Sequence, residues 1–134
     1  MAENIILARI RQLETMGLVN GQLEEWYAVF QTDEGNSFFA ELFRLFYETA
    51  SRLMEKIEDM LNDNVVDFGV LLHVCYNLKD TFLSVGAVRV ESPCSELCDS
   101  CQYRSASWCV SAIHEIRCEY LHLKAYIDDI LQLL

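Results

Sequence analysis

At 134 residues the chain is long enough to bury one core, and its 52% hydrophobic content excludes a disordered segment. One proline and five glycines are too few turn formers for an all-β architecture, and a net charge of −11 lacks the basic footprint that nucleic acid or an anionic membrane needs. The balance suits an acidic protein, read as one domain over residues 1–134, whose partners are other proteins.

The opening stretch MAENIILARIRQLE breaks its apolar run with Arg9 and Arg11, so no secretory signal is expected there. Glu3 to Met16 is predicted as an amphipathic helix with Ile6, Ile10 and Leu13 on one stripe, ended by Gly17. Asn20 is placed to cap a second, short helix through about Gln31, carrying Leu23, Trp26, Tyr27 and Phe30. Asp33-Glu34-Gly35-Asn36 reads as a turn. From about Ser37 to Asn62, apolar residues from Phe39 to Leu61 recur at steps of three and four. Phe38 and Leu45 fall off that stripe, which predicts that a second face of this long helix is also covered.

A fourth helix is predicted from about Asp67 to Val85, with Gly86 as its stop and Phe68, Leu71, Leu72, Cys75, Leu78, Phe82 and Val85 inward. A fifth segment covers Ala87 to Tyr103, in which Ser92-Pro93 reads as an N-cap followed by a first-turn proline, so that the helix starts or bends there. The last helix spans about Ser105 to Leu133, with Val110, Ile113, Ile116, Tyr120, Ile127, Ile130 and Leu131 inward. Long amphipathic helices joined by short breaks make an antiparallel bundle. No run of roughly 18 apolar residues is present, so no membrane span is expected.

Cysteine usage has two readings. Cys98 and Cys101 form a CxxC that invites zinc or redox chemistry, but Cys109 and Cys118 are nine apart and supply no second close pair. Cys94, Cys98 and Cys101 also have the four-three spacing of a helix stripe facing a core, and that reading is preferred, with no metal or cofactor expected. Six cysteines without a secretory signal suggest reduced thiols, and thus a cytoplasmic and nuclear location.

The most informative stretch is Val65 to Val90, VVDFGVLLHVCYNLKDTFLSVGAVRV. It resembles, without a gap, the phosphorylation helix of plant histidine-containing phosphotransfer (HPt) proteins, whose pattern is roughly VVDF followed by HVHQLKGSSSSIGAQRV. Weaker matches lie at Gly17-Leu18-Val19-Asn20, at Asp33-Glu34 with Phe39, and at Cys94 and Cys98. The resemblance implies an all-α four-helix bundle formed by the last four segments, with two N-terminal helices packed across one end. It also implies that the second histidine of the pattern accepts the phosphoryl group and that Tyr76 stands in its place.

That exchange decides the chemistry. A neutral imidazole is a good nucleophile near pH 7, and the phosphorus–nitrogen bond it forms is labile enough to pass the group on. A phenol titrates at roughly 10, stays protonated at neutral pH, and forms a far more inert ester. The expectation is a pseudo-HPt protein that is not an enzyme. It would act as a monomer, bind receiver domains of hybrid sensor histidine kinases and response regulators, and restrain a phosphorelay, with the cytokinin pathway implied by the resemblance.

Around Tyr76, Lys79 keeps the family's phosphate-steadying lysine one turn on, while Asn77 replaces glutamine and Asp80 replaces a glycine that lets a receiver approach. Asp80 adds negative charge facing an acidic receiver pocket. The implied docking face is Tyr76, Asn77, Lys79, Asp80 and Leu83, with His73 one turn before and Leu18 and Val19 flanking. Two rivals stand beside it: an active carrier using His73, and a helical scaffold with a structural zinc on its cysteines.

Overall fold

A computed structural model describes the backbone of residues 2–29 and 33–134 and the side chains of residues 5–29 and 38–134. Its helices are α1 (Ala2–Thr15), α2 (Gln22–Val29), α3 (Asp33–Leu61), α4 (Phe68–Ser84), α5 (Glu91–Gln102) and α6 (Ala106–Gln132), with a 3-10 turn at Val88–Val90. The expected contribution of Phe30 and Gln31 to α2 lies outside the described residues.

Each of α4 and α6 packs against both α3 and α5, so α3 to α6 close a four-helix ring. α1 lies against α2 and α6, and α2 against α3. The fold class and the placement of the N-terminal pair agree with expectation. The join is specific. Gly17 ends α1 at a φ of +75°, and the Asn20 side chain accepts a hydrogen bond from the Gln22 amide at 3.0 Å as α2 begins. The Asn20 amide donates to the Gly86 carbonyl at 2.9 Å, and the Gln22 side chain donates to the Ser84 carbonyl at 3.1 Å. The α1–α2 connection is thereby fastened to the C-terminal end of α4. Gly86 has a φ of +73°, and any Cβ there would strike the Asn20 side chain, so only glycine fits.

The core is aromatic at its centre. Phe82 of α4 meets Phe46 of α3 edge-on at 5.7 Å and Tyr120 of α6 at 6.1 Å between ring centroids. Towards solvent, Tyr47 donates to Asp128 at 2.8 Å, Lys124 donates to the other Asp128 oxygen at 2.9 Å, and the Lys124 ammonium lies 4.7 Å from the Tyr47 ring centre. Burial, then Asp128, push the Tyr47 phenol above the usual range. An Arg117–Glu58 ion pair also ties α6 to α3.

Several local expectations are corrected. Residues 33–36 are not a turn but the first turn of α3. Phe38 and Leu45 are exposed rather than covered. In α6 the buried stripe is Cys109, Ile113, Ile116, Tyr120, Leu123, Ile127 and Ile130. This four-three series puts Val110 about 100° off the stripe, at 51% exposure. Ser92 is not an N-cap: α5 begins at Glu91 directly after the 3-10 turn, and Pro93 lies buried in its first turn, where no intrahelical amide bond is lost. Among the described residues no helix is long and apolar enough to cross a membrane.

Candidate functional site

The ends of α4 account for the most specific parts of the motif. Asp67 is the N-cap, with extended backbone and a side chain that accepts from the Val70 amide at 3.1 Å, while Val66 and Phe68 pack half-buried beside it. At the other end Val85 is the C-cap, Gly86 turns the chain, and Ala87 and Val90 enter the core. Arg89 pairs with Glu119 of α6 at 3.3 Å. VVDF and SVGA-x-RV thus start and stop one helix at fixed positions and so fix which side chains point outward between them.

Leu71, Val74, Cys75, Leu78 and Phe82 point into the bundle. The helical repeat then brings His73, Tyr76, Asn77, Lys79, Asp80 and Leu83 onto one outward face spanning about 160°. Tyr76 lies on it with 43% of its surface exposed. His73, Asn77 and Asp80 are exposed, whereas Lys79 and Leu83 are half-buried. Among the described residues, no hydrogen bond or ion pair engages the side chains of His73, Tyr76, Asn77 or Asp80. Lys79 leans towards α5, where its ammonium donates to the Ser95 hydroxyl at 3.3 Å. It is thereby held at the edge of the face instead of over Tyr76.

Leu18 and Val19, expected to flank this face, are core residues with 2% and 3% exposure. The tight connection after Gly17 turns them inward, so they shape the end of the bundle and offer no contact area. The apolar neighbour of the face lies elsewhere. A groove of ≈ 380 Å³ runs beside Asp80, lined by Trp26 of α2, Leu42, Leu45 and Thr49 of α3, and Thr81 and Ser84 of α4. Sequence reasoning missed it. The available signal was Leu45, an apolar residue off the stripe of α3, which is 46% exposed along the groove.

Five of the six cysteines belong to the core. Cys75, Cys94, Cys98, Cys101 and Cys109 are buried, and Cys118 is exposed. The Cys101 sulfur lies 3.7 Å from that of Cys75 and 3.8 Å from that of Cys109. Burial pushes the Cys94 and Cys109 thiols up to about 12, which keeps them protonated at neutral pH and suits packing. Of the remaining histidines on α6, His114 lies 3.9 Å from the Cys118 sulfur and His122 meets the Tyr126 ring edge-on, both away from α4.

No protein-family model matches the chain. Individual proteins do. It is 28% identical over 130 residues to histidine-containing phosphotransfer protein 2 of Oryza sativa subsp. japonica, covering 96% of this chain and 86% of that one. It is 30% identical over 113 residues to pseudo histidine-containing phosphotransfer protein 2 of the same organism, covering 84% and 72%. The crystal structure of a histidine-containing phosphotransfer protein from maize superposes with a TM-score of 0.87 at 26% identity, covering 99% of this chain and 96% of that one. With the bundle shared almost from end to end and sequence similarity running through most of it, the chain belongs to the family of histidine-containing phosphotransfer proteins.

Proposed function

We propose that the chain is a pseudo-HPt protein that docks receiver domains of hybrid sensor histidine kinases and response regulators without carrying phosphate. It thereby restrains a phosphorelay, cytokinin signalling being the pathway the resemblance suggests, in cytoplasm and nucleus. The observation that carries this reading is Tyr76 itself, exposed on the outward face of α4, where a relay needs an imidazole. A buried ring would have left no platform. The face around it holds open polar groups at Asn77 and Asp80, and the groove beside Asp80 adds apolar area from Leu42, Leu45 and Trp26. Polar groups beside an apolar patch are what a transient protein interface needs. The similarity to proteins named both as phosphotransfer and as pseudo phosphotransfer proteins fits either state, and the tyrosine on the exposed face supports the pseudo form.

Titration of a receiver domain into the full chain, followed by calorimetry or amide NMR, tests the docking. Saturable binding with a dissociation constant of about tens of micromolar or tighter is expected, with shifts centred on Tyr76, Asn77 and Leu45. Asp80→Gly removes a like charge from the approach and is expected to tighten binding by about threefold to tenfold, more at low salt. Absence of saturation across a panel of receivers contradicts the docking reading.

A further inference from the structure

We propose a second recognition site, in the seam between α5 and α6, that takes an arginine side chain from a basic segment of a partner protein. A concavity of ≈ 330 Å³ opens there, walled by Tyr103 at the end of α5 and Trp108 in the first turn of α6, with Ala112 among its lining residues. The two rings stand nearly at right angles, 79° apart with centroids 6.2 Å from each other. Tyr103 is 76% exposed and Trp108 60% exposed, so neither ring is spent on the core. Two large aromatics held open around one hollow are costly to leave in water and mark a recognition surface.

The charge around the rings selects the occupant. Glu96 and Asp99 on α5 and Glu115 on α6 line the same hollow, and no lysine or arginine does. Among the described residues, none of these three carboxylates takes part in a salt bridge. A guanidinium answers both features: its plane stacks on an aromatic face while its N–H groups fan out to carboxylates on either wall. A compact, strongly hydrated ammonium uses the rings less well. The net charge of −11 draws a basic partner to this protein as a whole, and the ring pair gives it one place to settle. The site shares no lining residue with the Tyr76 face, so it is distinct from the surface proposed for receiver docking.

The test uses the full chain and three capped tripeptides, Gly-X-Gly, with X arginine, lysine or citrulline, the last a neutral isostere of arginine. In a titration read by NMR, the arginine peptide is expected to move the Trp108 indole N–H and the Tyr103 ring signals saturably. Lysine should bind more weakly, and citrulline should not bind. Trp108→Ala, at an exposed position where the fold does not depend on the ring, is expected to weaken arginine binding about threefold to tenfold, and Tyr103→Ala comparably. Equal binding of citrulline, non-saturating shifts spread over the acidic surface, or an unchanged affinity in both variants would overturn the proposal.

Discussion

A Tyr76→His variant mixed with a phosphorylated receiver domain and Mg²⁺ is expected to take up acid-labile phosphate, roughly a hundredfold or more above the parent chain. The side chain at this position is already 43% exposed on the outward side of α4, so an imidazole there would be open to a docked partner. Its ordinary pKa of about 6.5 leaves it mostly neutral and nucleophilic at pH 7 to 8, whereas a phenol is almost wholly protonated. The phosphorus–oxygen bond to the receiver aspartate breaks as the phosphorus–nitrogen bond forms, and the aspartate leaves as a carboxylate. Two features limit the gain. Lys79 is turned to Ser95 at 3.3 Å and must swing back to meet the phosphoryl oxygens, and Asp80 adds negative charge beside them. The double variant Tyr76→His with Asp80→Gly should therefore exceed the single one. Counting acid-labile label on the chain after separation from the receiver checks both. Label on the parent chain that disappears in His73→Ala would instead favour the neighbouring histidine as carrier. Silence of both Tyr76 variants would show that more than an imidazole is missing.

Replacing Phe82 by alanine is expected to destabilise the fold by about 3–5 kcal/mol. Phe82 is 1% exposed and joins α4 to both Phe46 of α3 and Tyr120 of α6 in one edge-to-face cluster. Its removal loses the transfer free energy of the ring, leaves a cavity among rigid neighbours, and deletes two aromatic pairs. Against a total stability of about 5–15 kcal/mol, that is a large share. Leu83, the next residue, is half-buried on the outward side, and Leu83→Ala should cost about 1 kcal/mol. Urea denaturation measures both. A loss of about 1 kcal/mol or less at Phe82 would mean that the three helices are not held through this ring. The resembled pattern carries a serine where Phe82 stands, so this part of the core is packed differently here.

Periodicity and end signals were enough to place the bundle. The stripe of α4, the cap at Asp67 and the stop at Gly86 follow from side-chain spacing and from backbone that only glycine adopts easily. Errors arose where two local signals compete. Ser92-Pro93 has the chemistry of a helix start, yet the 3-10 turn before it already supplies one, so α5 begins earlier. Val110 and Cys109 are adjacent apolar residues, and only the phase of the whole of α6 tells which is inward. The site was legible where it lies on one helix: Tyr76, Lys79 and Asp80 share a face by the helical repeat alone. It was not legible where it depends on how helices meet. Leu18 and Val19 read as a flank in the linear sequence, but the turn after Gly17 buries them, whereas Leu45 and Trp26 reach the face through tertiary packing. The contact between Lys79 and Ser95 likewise joins residues 16 positions apart on different helices.

The most direct test is a competition assay in which a phosphorylated receiver passes label to an active HPt protein while this chain is added in increasing amounts. The account predicts that transfer slows in proportion to receiver occupancy and that the added chain stays unlabelled. Transfer that proceeds undiminished at saturating chain, or acid-labile label on the chain itself, would contradict it.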